Sequence, residues 1–126
     1  MKRLLIIDPG FYARVQMDDD LAPHGFQVTA VKAVNSALIK MKTQIFQAVL
    51  VAFDEQAEDT LRMLLALRES FNFVPVLILT RKPTEQQMVR LLRYRPLEIV
   101  VKPYSLVDLV TRLDAMIKAR AEEAKK

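Results

Sequence analysis

Four short apolar runs constrain this chain more than anything else in it. They are Leu4-Leu5-Ile6-Ile7 before Asp8, Ala48-Val49-Leu50-Val51 before Ala52, Val76-Leu77-Ile78-Leu79 before Thr80, and Ile99-Val100-Val101 before Lys102. Runs that short read as buried strands. Between them lie stretches with apolar residues at helical spacing. Strand and helix in alternation make the pattern of an α/β fold with a parallel sheet.

The boundaries follow from local signals. A strand over 3–8 leads into a helix over 10–22, which Pro23-His24-Gly25 ends, with Gly25 as the stop. A strand over 26–31 precedes a helix over 35–43 capped by Asn35 or Ser36. Next come a strand over 47–52 and a helix over 59–70 whose apolar face is Leu61, Leu64, Leu65 and Leu67. After the strand over 75–80, a fourth helix spans 84–94, with Thr84 and Gln87 spaced as a capping box. The fifth strand covers 98–101. The fifth helix covers 105–121, opened by Ser105 with Asp108 three residues on. Residues 1–121 form one domain and 122–126 a charged tail. Five such units fit a flavodoxin-like, doubly wound (βα)5 sheet of strand order 2-1-3-4-5, whose site lies beyond the carboxyl ends of the strands.

Composition narrows the function classes. A chain of 126 residues, 52% hydrophobic with two glycines, can bury a real core and is not disordered. Without cysteine there is no disulfide or thiolate chemistry. His24 is the single histidine; it leaves no His-rich metal site and reads as a turn residue. The apolar runs fall far short of the roughly 20 residues that span a bilayer. An acid and a proline follow the N-terminal run too early for a signal peptide. The expectation is a cytoplasmic protein that does not engage a membrane.

Charge is uneven along the chain. Residues 1–63 carry 7 basic and 8 acidic side chains, whereas 64–126 carry 12 and 7. The excess gathers in Arg81, Lys82, Arg90, Arg93 and Arg95, which suits an acidic partner. Asp18-Asp19-Asp20 reads as a solvated helix face. Its place near a helix C-terminus opposes the macrodipole, so a basic partner is open. The methionines read as core filler.

Asp8, Ala52, Thr80 and Lys102 all fall at the carboxyl ends of strands. An acid, a hydroxyl and a lysine so placed are the groups of a phosphoryl-transfer pocket, here without a nucleophile. The segments Pro75-Val-Leu-Ile-Leu-Thr80 and Val100-Val-Lys102-Pro103-Tyr104, with His24-Gly25-Phe26 and Ala37-Leu38, make the chain resemble the receiver domain of bacterial two-component response regulators. The resemblance covers residues 3 to about 118. It implies a phosphoryl group taken from a histidine kinase onto an aspartate after strand 3. It also implies Mg²⁺ held by that aspartate and two acids after strand 1, with a Thr or Ser and a Lys on the phosphoryl oxygens. A carboxylate attacks phosphorus only where metal and cations neutralise the developing charge.

On that pattern Asp8 matches the first acid, and Thr80 and Lys102 are kept. Pro9 stands where the second acid belongs, Ala52 on the acceptor, and Ile99 at the switch aromatic. Gln56 and Thr60 replace the usual Pro and Gly after strand 3, and Arg95-Pro96 replaces a common Gly-Ala. Mg²⁺ normally needs one or two carboxylates plus phosphate, so no metal and no cofactor are expected. Asp8 and Lys102 are expected to pair as relics, and Thr80 either bonds local backbone or contacts an anion.

The resulting expectation is a phosphorylation-independent pseudo-receiver, not an enzyme, that binds a signalling protein. Its partner surface, or a homodimer contact, would be helix 4–strand 5–helix 5. Arg90, Arg93, Tyr94 and Arg95 crowd six residues there, and Arg and Tyr are common at interface hot spots. Two alternatives stand beside it. One is phosphorylation on an atypical acid, Asp54, which strand geometry puts roughly 6–7 Å beyond Ala52. The other is a nucleic-acid-binding module built on the basic residues, disfavoured by a net charge of only +4 and no aromatic stacking platform.

Overall fold

The apolar runs do become neighbouring strands. The protein is described here from a computed structural model, covering residues 2–52, 57–70 and 74–124. The strands are β1 (Lys2–Ile7), β2 (Phe26–Val31), β3 (Ala48–Ala52), β4 (Val76–Thr80) and β5 (Leu97–Val101). The helices are α1 (Phe11–Leu21), α2 (Val34–Thr43), α3 (Ala57–Ser70), α4 (Glu85–Leu92) and α5 (Leu106–Ala124). All strand pairs are parallel, in the order β2-β1-β3-β4-β5. This is the flavodoxin-like order expected.

Alternation along the strands divides the core into two layers. Leu5, Ile7, Val49, Val51, Val76 and Ile78 face α2, α3 and α4, where they meet Met41, Met63, Leu64, Leu67 and Leu91. Leu4, Ile6, Ala48, Leu50, Leu77 and Leu79 face α1 and α5, where they meet Met17, Leu21, Leu109 and Leu113. Each fully buried leucine or isoleucine contributes about 1.5–3 kcal/mol. Three of the methionines are buried in these layers, the filler role their softness suits.

The element ends show which local signals worked. A short 3-10 turn, Ala22–His24, follows α1 and closes on Gly25 at φ +87°, which favours glycine. Thr84 and Gln87 form the full capping box: Thr84 Oγ1 accepts from Gln87 N at 3.1 Å, and Thr84 N donates to Gln87 Oε1 at 2.9 Å. Ser105 Oγ accepts from Asp108 N at 3.0 Å.

Four expectations need correction. Neither Asn35 nor Ser36 caps α2: extended Ala33 holds the cap position without a side-chain bond, and half-buried Val34 opens the helix against the core. Leu65 is 47% exposed, because a neighbour one residue from buried Leu64 points about 100° away on a helix. α4 stops at Leu92, not 94; Arg93 N and Tyr94 N bond back to Arg90 and Leu91 carbonyls in a tightened last turn, and Pro96 follows. α5 runs on to Ala124, past residue 121.

No sequence pattern announced Arg68. From the end of α3 its guanidinium donates to three carbonyls, those of Tyr94 at 2.7 Å, Val74 at 2.8 Å and Pro96 at 2.7 Å. It thereby ties the entrances of β4 and β5 together. Burial there lowers its pKa from the ordinary arginine value.

Candidate functional site

Strand register assembles the candidate site. Ile7 lies opposite Val51, Ala52 opposite Leu79, and Thr80 opposite Val101. Asp8, Ala52, Thr80 and Lys102 therefore end four neighbouring strands at one edge of the sheet. Lys102 N donates to the Thr80 carbonyl at 2.7 Å and locks the last two positions together.

Each side chain has a distinct setting. Asp8 Oδ1 accepts from Gly10 N at 2.8 Å, and its carbonyl accepts from Arg14 Nη1 at 2.8 Å. A Cβ on Gly10 would sit 3.3 Å from Asp8 Oδ1, so this turn is tight. Pro9 is exposed and brings neither an N–H nor a side-chain oxygen. Ala52 is partly exposed at the site. Thr80 is 3% exposed, the sole buried polar residue among the described residues, and its hydroxyl makes no hydrogen bond there. Lys102 is half-buried.

Asp8 and Lys102 do not pair among the described residues. The expectation treated their strands as adjacent. In fact β3 and β4 lie between β1 and β5, a separation of three strand spacings, or about 14 Å. Asp8 spends its carboxylate on the turn into α1 instead.

Tyr104 closes the rim beyond Pro103. Its hydroxyl lies 3.7 Å from Met17 Sδ. Burial first, then the carboxylates of Asp20 and Asp8, push its pKa above the ordinary 10.0.

Comparison with known proteins gives this geometry a family context. No family model matches the chain. It is 25% identical over 122 residues to the Transcriptional regulatory protein PrrA of Mycobacterium tuberculosis, covering 97% of this chain and 52% of that protein. It is also 25% identical over 118 residues to the Virulence transcriptional regulatory protein PhoP of Salmonella typhimurium, covering 94% and 53%. The chain spans about half the length of the curated relatives it matches. Among solved structures, a response regulator receiver domain protein (CheY-like) from Methanospirillum hungatei covers 98% of both chains, with a TM-score of 0.87 at 17% identity.

The fold is that of a response regulator receiver domain.

In this receiver-like fold the described side chains do not fit a Mg²⁺ ion. Asp8 supplies one carboxylate, already bonded to Gly10 N, while Pro9 and Ala52 supply none. Among the described residues no cluster of three acidic, histidine or cysteine side chains forms. Asp54 and Gln56 lie outside the described residues. Ile99 is half-buried against the α2–α3–α4 layer, where it can pack but cannot make the hydroxyl contact of a tyrosine.

The second candidate surface is less uniform than its sequence suggests. Arg90 and Arg93 are exposed and line a shallow hollow with Glu85, Gln86 and Val89. Arg95 is exposed beyond the helix. Tyr94 lies past the end of α4, half-buried against the core, so it does not extend the Arg90 face. Sequence reasoning missed three valines on α4, β5 and α5: Val89 (58% exposed), Val101 (45%) and Val107 (71%). An exposed valine has no sequence signature of its own. It also missed Arg112, which bonds Glu98 at 2.9 Å and Asp108 at 3.2 Å and braces α5 on β5. Among the described residues no helix is long and apolar enough to cross a membrane.

Proposed function

We propose that this receiver domain acts as a phosphorylation-independent binding module in bacterial signal transduction. The carrying observation is Ala52 together with Pro9 in an otherwise receiver-like pocket. The nucleophile and one metal-binding acid are absent together, so the chain takes no phosphoryl group and catalyses no reaction. Its output is contact with a cytoplasmic signalling protein. The relatives' names as transcriptional regulatory proteins support a regulatory role.

The partner surface in this reading is α4–β5–α5, with no nucleic acid engaged. Exposed Val89, Val101 and Val107 support it, because they offer apolar contact beside Arg90 and Arg93. Switching then follows from partner binding, which biases the conformation by differential contact.

Labelling with a small-molecule phosphodonor and Mg²⁺ tests the reading. The wild-type protein stays unlabelled, and so does Ala52→Asp, since Pro9 still withholds a carboxylate. Mg²⁺-dependent labelling of the wild-type chain that disappears in Asp54→Asn would replace this reading with the atypical receiver.

A further inference from the structure

Two charged helix stripes face away from each other and have no ion-pair counterpart among the described residues. On α1, Tyr12, Val15, Asp18 and Asp19 follow helical spacing; Tyr12 is 86% exposed and the two acids are exposed. On α4 and its C-cap, Gln86, Val89, Arg90 and Arg93 do the same. None of Asp18, Asp19, Arg90 and Arg93 makes an ion pair among the described residues.

The fold keeps the stripes apart. α1 packs on one face of the sheet beside β2, and α4 on the other face beside β5. β2 and β5 are the opposite edges of the sheet, four strand spacings or about 19 Å apart. That exceeds the roughly 10 Å Debye length at 0.1 M salt, so neither patch neutralises the other inside one molecule. Residues 81–95 hold five basic side chains against one acid, Glu85. The last turn of α1 holds acids and no base, against its own dipole. An external cation would relieve that mismatch.

We propose that a second copy of this chain supplies it: α1 of one molecule docks through Tyr12, Val15, Asp18 and Asp19 on the Val89–Arg90–Arg93 stripe of the next. Sign and apolar content match between the stripes: each sets one exposed valine beside two charges, acidic on α1 and basic at α4. The contact is heterologous, since different patches meet, and each added copy leaves one stripe of each kind open. It therefore builds head-to-tail oligomers, not a closed two-fold dimer. Charge placement carries this beyond the signalling reading and independently of what the Ala52 pocket binds.

Sedimentation velocity of the full chain over a concentration series tests it. At about 0.02 M salt the average mass rises with concentration past that of a dimer, and at about 0.5 M it returns to monomer. Asp18→Asn with Asp19→Asn gives monomers, and so does Arg90→Gln with Arg93→Gln. All four positions are exposed, and unchanged circular dichroism shows that each variant folds. Mixing the two variants restores one pairing only, between intact α4 of the first and intact α1 of the second, and yields a 1:1 dimer that grows no further. A wild-type monomer at low salt overturns the proposal. So does association that stops at a dimer and survives the α1 substitutions, as a two-fold α4–β5–α5 contact would.

Discussion

Arg68 puts three donors of one guanidinium on three backbone carbonyls where β4 and β5 begin. Hydrogen bonds from a charged donor are stronger than neutral ones, and carbonyls left without a partner are costly. Arg68→Met keeps the apolar stem and loses every bond, so it destabilises the fold by about 2–4 kcal/mol in urea unfolding. Arg68→Lys recovers only part, because an ammonium cannot match the planar fork. A loss under about 0.5 kcal/mol for the methionine variant would contradict this bracing role. Tyr104 gives a second residue-scale expectation. Its pKa is raised in the fold relative to an unfolded tyrosine, so the unfolded chain releases the proton first. The associated stability is complete below about pH 10 and falls as pH climbs toward the folded value. Tyr104→Phe removes that part of the alkaline loss, read as a flatter stability profile above about pH 10. Neither role was legible in sequence. Arg68 reads as an ordinary helix arginine until the α3–β4 and α4–β5 turns converge on it. The Asp8–Lys102 pair failed for the opposite reason: the sequence shows two strand ends but not that two strands lie between them.

Helix α4 is the element where local sequence and structure agree best at one end and worst at the other. Thr84 and Gln87 satisfy each other's backbone donors, a signal contained in four consecutive residues. Thr84→Ala therefore costs about 1 kcal/mol in thermal or urea unfolding, and Thr84→Ser much less. An unchanged midpoint for the alanine variant would show that tertiary packing alone holds α4. The helix's C-terminus was misplaced by two residues, since Tyr94 turns back to the core and no glycine marks the stop. The start of α2 failed similarly, where core packing of Val34 outweighed the capping preferences of Asn35 and Ser36. The strands were clearer, because β1, β3 and β4 are buried on both faces and read as unbroken apolar runs. β5, an edge strand, leaves Val101 exposed.

Across the whole molecule, the sheet order and the meeting of Asp8, Ala52, Thr80 and Lys102 at its carboxyl edge were both legible. Parallel βα units allow few topologies, and the site of such a sheet has a fixed address. The surfaces were less legible, since exposure depends on how elements pack and not on residue type. The central claim is that Ala52 and Pro9 leave this receiver fold without a phosphate switch. An amide NMR titration with Mg²⁺, then with Mg²⁺ plus beryllofluoride as a phosphoryl mimic, tests it most directly. The account predicts no saturable shifts at Asp8, Ala52, Thr80 or Lys102 in either step. Saturable shifts at those residues that spread into α4 would contradict it, because the pocket would then still bind the phosphoryl form and signal to its output face.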